Sequence, residues 1–164
     1  MTSDTIALIA NLALTLSFIV GLTFGIAQVR AAARDRRERL TVEALRSFQS
    51  REFAELLQFV ISDRVPTSRK HMETLPVQDQ VLFYQLAQEM EMLGILVADK
   101  YIDMDLVEKT LGSFVVTSWE KSKKLALGAR PADPFVAEYW QWLAERVSER
   151  MTRHPRQPFH EQGR

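Results

Sequence analysis

Residues 6–29 read IALIANLALTLSFIVGLTFGIAQV, 24 consecutive positions without a charge. As an α-helix rising 1.5 Å per residue, such a run spans about 36 Å, against a hydrocarbon core of roughly 30 Å. Thirteen of its residues are Leu, Ile, Phe or Val. At roughly −0.3 to −0.6 kcal/mol each near the bilayer centre, they sum to on the order of −4 to −8 kcal/mol, enough to outweigh Asn11, Gln28 and the hydroxyl side chains. A buried core helix is usually shorter and carries a polar edge. A cleaved signal peptide needs a basic start and a shorter apolar stretch; here the only earlier charge is Asp4, and only Ala31-Ala32-Ala33 resembles a cleavage site. The run predicts a transmembrane anchor over residues 1–29.

The flanks predict its orientation. Arg30, Arg34, Arg36, Arg37 and Arg39 follow the run with only Asp35 and Glu38 among them, while the preceding MTSDT holds no basic residue. Positive charge stays on the cytoplasmic side, so a single pass with the N-terminus out and the remainder in the cytoplasm is expected. The same arginines can contact anionic headgroups, at about 1 kcal/mol each close to the surface. Inside the run, Ala13, Ser17, Gly21 and Gly25 recur every four residues, with Gly21–Gly25 a GxxxG match. Small residues let helix backbones approach closely, so homo-oligomerisation through this ridge is the expected use.

Beyond the anchor, composition mainly excludes. The 164 residues carry 21 basic and 21 acidic side chains, so no overall charge draws the chain to nucleic acid. There is no cysteine, which removes disulfides, thiol nucleophiles and thiolate metal sites. No stretch shows sustained period-two alternation, and an all-α chain is expected. Residues 30–63 are rich in Ala, Arg, Glu and Leu with neither Gly nor Pro, which predicts a juxtamembrane helical stalk, bent near Ser47–Ser50. Apolar positions on it are Leu45, Phe48, Phe53, Leu56, Leu57, Val60 and Ile61. Asp63–Thr74 is polar and broken by Pro66, which predicts a loop.

A small helical bundle is expected over 64–153. One helix starts near Pro76 and buries Leu82, Leu86, Met90, Leu93 and Val97. The next is capped by Asp103, buries Val107, Leu111, Phe114, Val115 and Trp119, and stops near Gly128. Asp133 and Pro134 should open the last, which carries Val136, Tyr139, Trp140, Leu143, Val147 and Met151. The tail, 154–164, has two prolines and little to bury, and is expected to be disordered. Gly94 and Gly112 fall inside helices, where close packing is the usual reason for glycine.

Candidate chemistry is thin. His71, His154 and His160 lie in loop or tail, and no HExxH or ExxH pair occurs. Asp99, Asp103, Asp105 and Glu108 lack the glycine and spacing of a calcium loop. No glycine-rich phosphate loop is present. Arg64, Arg69 and Lys70 have no aromatic interleaving, so nucleic acid is not an expected partner. Neither a cofactor, a metal, a small-molecule substrate nor an enzymatic activity is expected. Between His71 and Glu108 there are eight acidic residues and one basic residue, Lys100. An ordinary solvated helix face is the simpler reading; a negative surface for a basic partner is the sharper one. Trp140 and Trp142 are two apart and cannot share a helix face. Trp142, Glu89 and Glu91 are accordingly the candidates for a surface that meets an unidentified protein partner.

The segments EMEMLGILV (89–97), YIDMDLVEKTLGSFVVTSWEK (101–121), Arg130 and PFVAEYWQWLA (134–144) resemble a bacterial domain-of-unknown-function family. The points of match are Ile102, Asp103, Asp105, Leu106 and Val107, then Trp119-Glu120-Lys121, Arg130 and Trp142-Leu143-Ala144, within Leu75–Met151. The resemblance implies a small single-pass protein of the bacterial inner membrane with an all-helical cytoplasmic domain. Members are sometimes labelled phage abortive-infection proteins. Two functions follow as expectations: a membrane-anchored interaction module, scaffold or regulatory, or alternatively a membrane-disrupting effector of phage defence.

Overall fold

The computed structural model describes residues 3–157 and 159–161, leaving out the side chains of 3–7, 37, 38, 40, 44, 45, 47 and 159. Among the described residues there are six α-helices and no strand: α1 (Ser3–Ser47), α2 (Arg51–Ile61), α3 (Arg69–Thr74), α4 (Val77–Ala98), α5 (Met104–Ala129) and α6 (Glu138–Arg153). A 3-10 turn at Phe159–Glu161 lies in the expected tail, the rest of whose last residues, 158 and 162–164, fall outside the description. The chain divides into two units at Leu40/Thr41.

The first unit is one helix, and every described side chain from Leu8 to Arg36 is exposed. In the second, α6 packs on both α4 and α5, and α2 packs on the same two helices. The core between them includes Phe59, Leu86, Met90, Val107, Val115, Trp140, Leu143 and Val147. Trp119 of α5 meets Trp140 of α6 edge to face at 5.6 Å, a favoured arrangement of ring quadrupoles.

The expected stalk over 30–63 is not one element. Its helix stops at Ser47, at the expected bend, and Arg51–Ile61 belongs to the bundle, with Leu56, Phe59 and Val60 buried. Ser50 makes the restart: its hydroxyl accepts from the Phe53 N–H at 3.1 Å, satisfying one of the free donors of the new helix. Phe53 then joins Phe48 to Phe114 of α5 through edge-on ring contacts. The Glu52 carboxyl is held below its ordinary value by its own backbone N–H and by Ser50, with the neighbouring Arg51 adding a smaller pull. Leu57 and Ile61 are exposed, because α2 buries only one stripe.

Three boundaries also move. The stretch expected as a loop contains α3, whose start is capped by the Ser68 hydroxyl on the His71 N–H and which buries Met72. Helix α5 runs through Gly128 to Ala129, ending just ahead of Arg130 and Pro131, the latter without an N–H to continue the ladder. The Asp133 carboxylate accepts from the Phe135 N–H in a local turn, and α6 begins only after Ala137, in a left-handed conformation at φ 53°.

Asp103 caps α5 as expected, its Oδ1 2.6 Å from the Asp105 N. Just before it, α4 ends in a Schellman arrangement. The Tyr101 N–H binds the Leu96 carbonyl, the Lys100 N–H binds that of Val97, and Lys100 occupies the left-handed position where glycine is usual.

Candidate membrane-binding helix and interaction surfaces

The apolar run forms the outer surface of its own helix. No residue of the apolar window within Leu8–Glu43 is buried. A Cβ added at Gly21 or Gly25 would meet nothing within 4 Å, so both glycines of the ridge that also holds Ala13 and Ser17 face open space. Two hydroxyls in the run are satisfied by their own helix, Thr15 on the Asn11 carbonyl at 2.8 Å and Thr23 on that of Val20 at 2.9 Å. Such internal pairing lowers the cost of placing hydroxyls in an apolar medium. Arg30, Arg34, Arg36 and Arg39 follow as exposed side chains. The side chain of Arg37 lies outside the description.

Glu91, expected on a partner surface, is used within the chain. Its two carboxylate oxygens accept from the Tyr139 N–H at 3.2 Å and the Trp140 N–H at 3.0 Å. These are the first-turn donors of α6, whose N-cap Ala137 has no side-chain acceptor, so α4 supplies the cap instead. Gly94 allows the approach: a Cβ there would lie 2.5 Å from the Tyr139 carbonyl oxygen. Arg130 holds the incoming loop, with Nε on the Val136 carbonyl at 3.1 Å and a second nitrogen on that of Ala137 at 3.4 Å.

The acidic stretch is largely consumed in the same way. Asp79 pairs with Arg64 at 2.8 Å, Glu73 with Arg69, and Asp103 caps α5. Glu108 binds Arg150 Nε at 2.8 Å, and Asp105 binds the same guanidinium. The Glu108 hydrogen bond and both negative charges raise the Arg150 guanidinium above its ordinary value. Glu89 and Asp99 are left without such a pair among the described residues; Glu89 is half-buried. Trp142 is also half-buried, packed against the edge of the core.

Lys121, matched in the family resemblance, reaches across to α2, donating to the Val60 carbonyl at 2.7 Å and to Asp63 at 2.5 Å. Sequence spacing gave no sign of this bond, because its partners are 61 and 58 positions away. The matched residues Asp103, Trp119, Lys121 and Arg130 thus do architectural work: cap, edge-to-face ring contact, helix-end clamp and loop clamp.

Clefts on the bundle are open. One of about 440 Å³ is lined by Arg51, Glu55, Gln58, Arg64, Gln78 and Leu82, where Arg51 and Arg64 are already paired with carboxylates. Among the described residues no group of three or more His, Asp or Glu side chains is placed to hold a metal ion. The surface feature that spacing did not reveal is on α4, whose outward side exposes Val77, Val81, Tyr84 and Met92.

No curated protein and no solved structure matches the chain. A family model does match, over residues 15–147, taking in the last fifteen residues of the apolar run together with the bundle as far as Val147. The match reaches further toward the N-terminus than the resemblance over Leu75–Met151. The chain belongs to the family described as a domain of unknown function, DUF4760.

Proposed function

We propose that this protein is a membrane-anchored helical module that works by protein–protein contact, with residues 6–29 crossing the inner membrane of a bacterium. The N-terminus would face out and the bundle the cytoplasm, where Arg30, Arg34, Arg36, Arg37 and Arg39 lie beside anionic headgroups. One observation carries this reading: a helix with this many apolar side chains buries none of its apolar window against its own chain. Leaving that surface in water costs roughly 25 cal/mol per Å² of apolar area, which lipid removes. Pairing through Ala13, Ser17, Gly21 and Gly25 would bring two bundles together, where tethering lets weak contacts suffice. The arrangement of the bundle supports a non-enzymatic role: six of the eight carboxylates between His71 and Glu108 are spent on caps and ion pairs.

The test is fractionation of the full chain. It should pellet with membranes, resist high-pH wash and be released by detergent; recovery in the supernatant without detergent would overturn the anchor. Gly21→Leu with Gly25→Leu should weaken self-association in a membrane reporter assay. Loss of membrane potential or dye entry on expression would replace the module reading with that of a membrane-disrupting effector in phage defence.

A further inference from the structure

Helix α4 turns one face to the core and an uncharged face outward. Leu82, Leu86, Met90, Leu93 and Val97 are buried. On the other side Val77, Val81, Tyr84, Gln88 and Met92 follow at spacings of four, three, four and four, an arc of about 80° at 100° per residue. Val77 is 75% exposed, Val81 56%, Tyr84 59% and Met92 56%. A surface helix ordinarily carries charge on its solvent side. Here the three charges of α4 are placed elsewhere: Asp79 is buried against Arg64, Glu91 caps α6, and Glu89 lies on the flank. Helix α4 contains neither Lys nor Arg.

We propose that this face is covered by the same face of a second copy of the chain, α4 against α4 about a two-fold axis near Tyr84. Charge decides among the occupants. A two-fold contact sets a surface against itself, which a like-charged patch resists and an uncharged one permits. A charged protein partner would need complementary charge, which these five positions do not offer. A lipid surface is ordinarily met by a helix with Lys or Arg on its polar flank, and α4 has none. Antiparallel packing would place Val77 and Val81 of one copy against Met92 and Gln88 of the other, with the two Tyr84 rings at the centre. One helix face is smaller than the roughly 1,200–2,000 Å² that a stable soluble interface buries, so the contact needs the copies held close together. It rests in this respect on the proposed anchor, which supplies that tether.

The absence of cysteine makes the test clean, because each substitution supplies the only thiol. In membranes carrying the full chain, Tyr84→Cys alone, and Val81→Cys mixed with Gln88→Cys, should give disulfide-linked dimers well above Lys109→Cys and Glu138→Cys, exposed positions on α5 and α6. Gly21→Cys reports pairing of the anchor separately. Adding Val81→Glu to Tyr84→Cys should cut the α4 crosslink about tenfold, since each copy then sets an unpaired carboxylate against Gln88 of the other, and leave the Gly21→Cys crosslink unchanged. Dimers at Gly21→Cys with α4 positions at control level would overturn the α4 contact and spare the anchor reading. Control-level yields at both would overturn self-association altogether. A Tyr84→Cys adduct with a different protein would overturn the second copy as occupant. Because Val81 is exposed, unchanged tryptophan fluorescence verifies that Val81→Glu leaves the bundle folded.

Discussion

Among the described residues two helices are long and apolar enough to cross a bilayer, α1 within Leu8–Glu43 and α4 at Val77–Ala98, and their surroundings are opposite. The apolar window of α4 is 39% buried, against α2 and α6; that of α1 is 0% buried. Apolar composition therefore states only a demand for cover. In α4 the chain itself meets that demand on one face, through Leu82, Leu86, Met90 and Leu93. In α1 no residue of the apolar window is buried.

The contrast can be broken from either side. The largest effect is expected from Leu16→Arg with Ile19→Arg in α1. Each arginine costs about 2.5–3.5 kcal/mol at a helix centre, together comparable to the whole favourable sum of the run. Membrane fractionation should show the protein leaving the membrane, while the fluorescence of Trp119, Trp140 and Trp142, all in the bundle, stays native. Next, Leu86→Ala in α4 should cost the bundle about 2–5 kcal/mol, read by denaturant unfolding of the full chain in detergent. Leu16→Ala should leave that midpoint unchanged; an equal loss would mean that α1 is packed like α4.

The junction of α4 with α6 sharpens the comparison further. Gly94→Ala should destabilise by about 1–3 kcal/mol despite alanine's better helix propensity, because the new Cβ meets the Tyr139 backbone rather than a side chain that can move. Glu91→Ala should cost about 1–2 kcal/mol by leaving the α6 N–H groups without their acceptor. The smallest effect concerns Glu52. Its pKa is lowered by folding, so the stability it contributes is present above the unfolded value and fades as pH falls through the lower folded one. Glu52→Gln should therefore narrow the difference between midpoints at neutral and acidic pH. An unchanged pH dependence would remove the cap interaction.

Local signals in this chain were legible where their partners are near in sequence. The run at 6–29, the break between Ser47 and Ser50, the Asp103 cap and the buried stripe of α4 all depend on neighbours within about one or two helical turns. The errors came where a distant partner intervenes. Residues 51–61 have the composition of a continuing stalk, and only contact with α4 and α5 draws them into the bundle. Asp133 and Pro134 have the form of a helix start, yet α6 takes its cap from Glu91, more than forty positions earlier. Glu91 itself has the appearance of a surface carboxylate until α6 is set beside it.

The succession of apolar, basic and amphipathic segments is enough to specify an all-α chain with an apolar helix over residues 6–29 and an arginine-rich sequel, because helical periodicity and side-chain transfer energies are local properties. Which apolar surfaces are covered and which carboxylates are spent depends on how the helices come together. Burial and capping belong to pairs of groups, and the pairs that matter here join α4 to α6, α5 to α2 and Arg130 to the loop it holds.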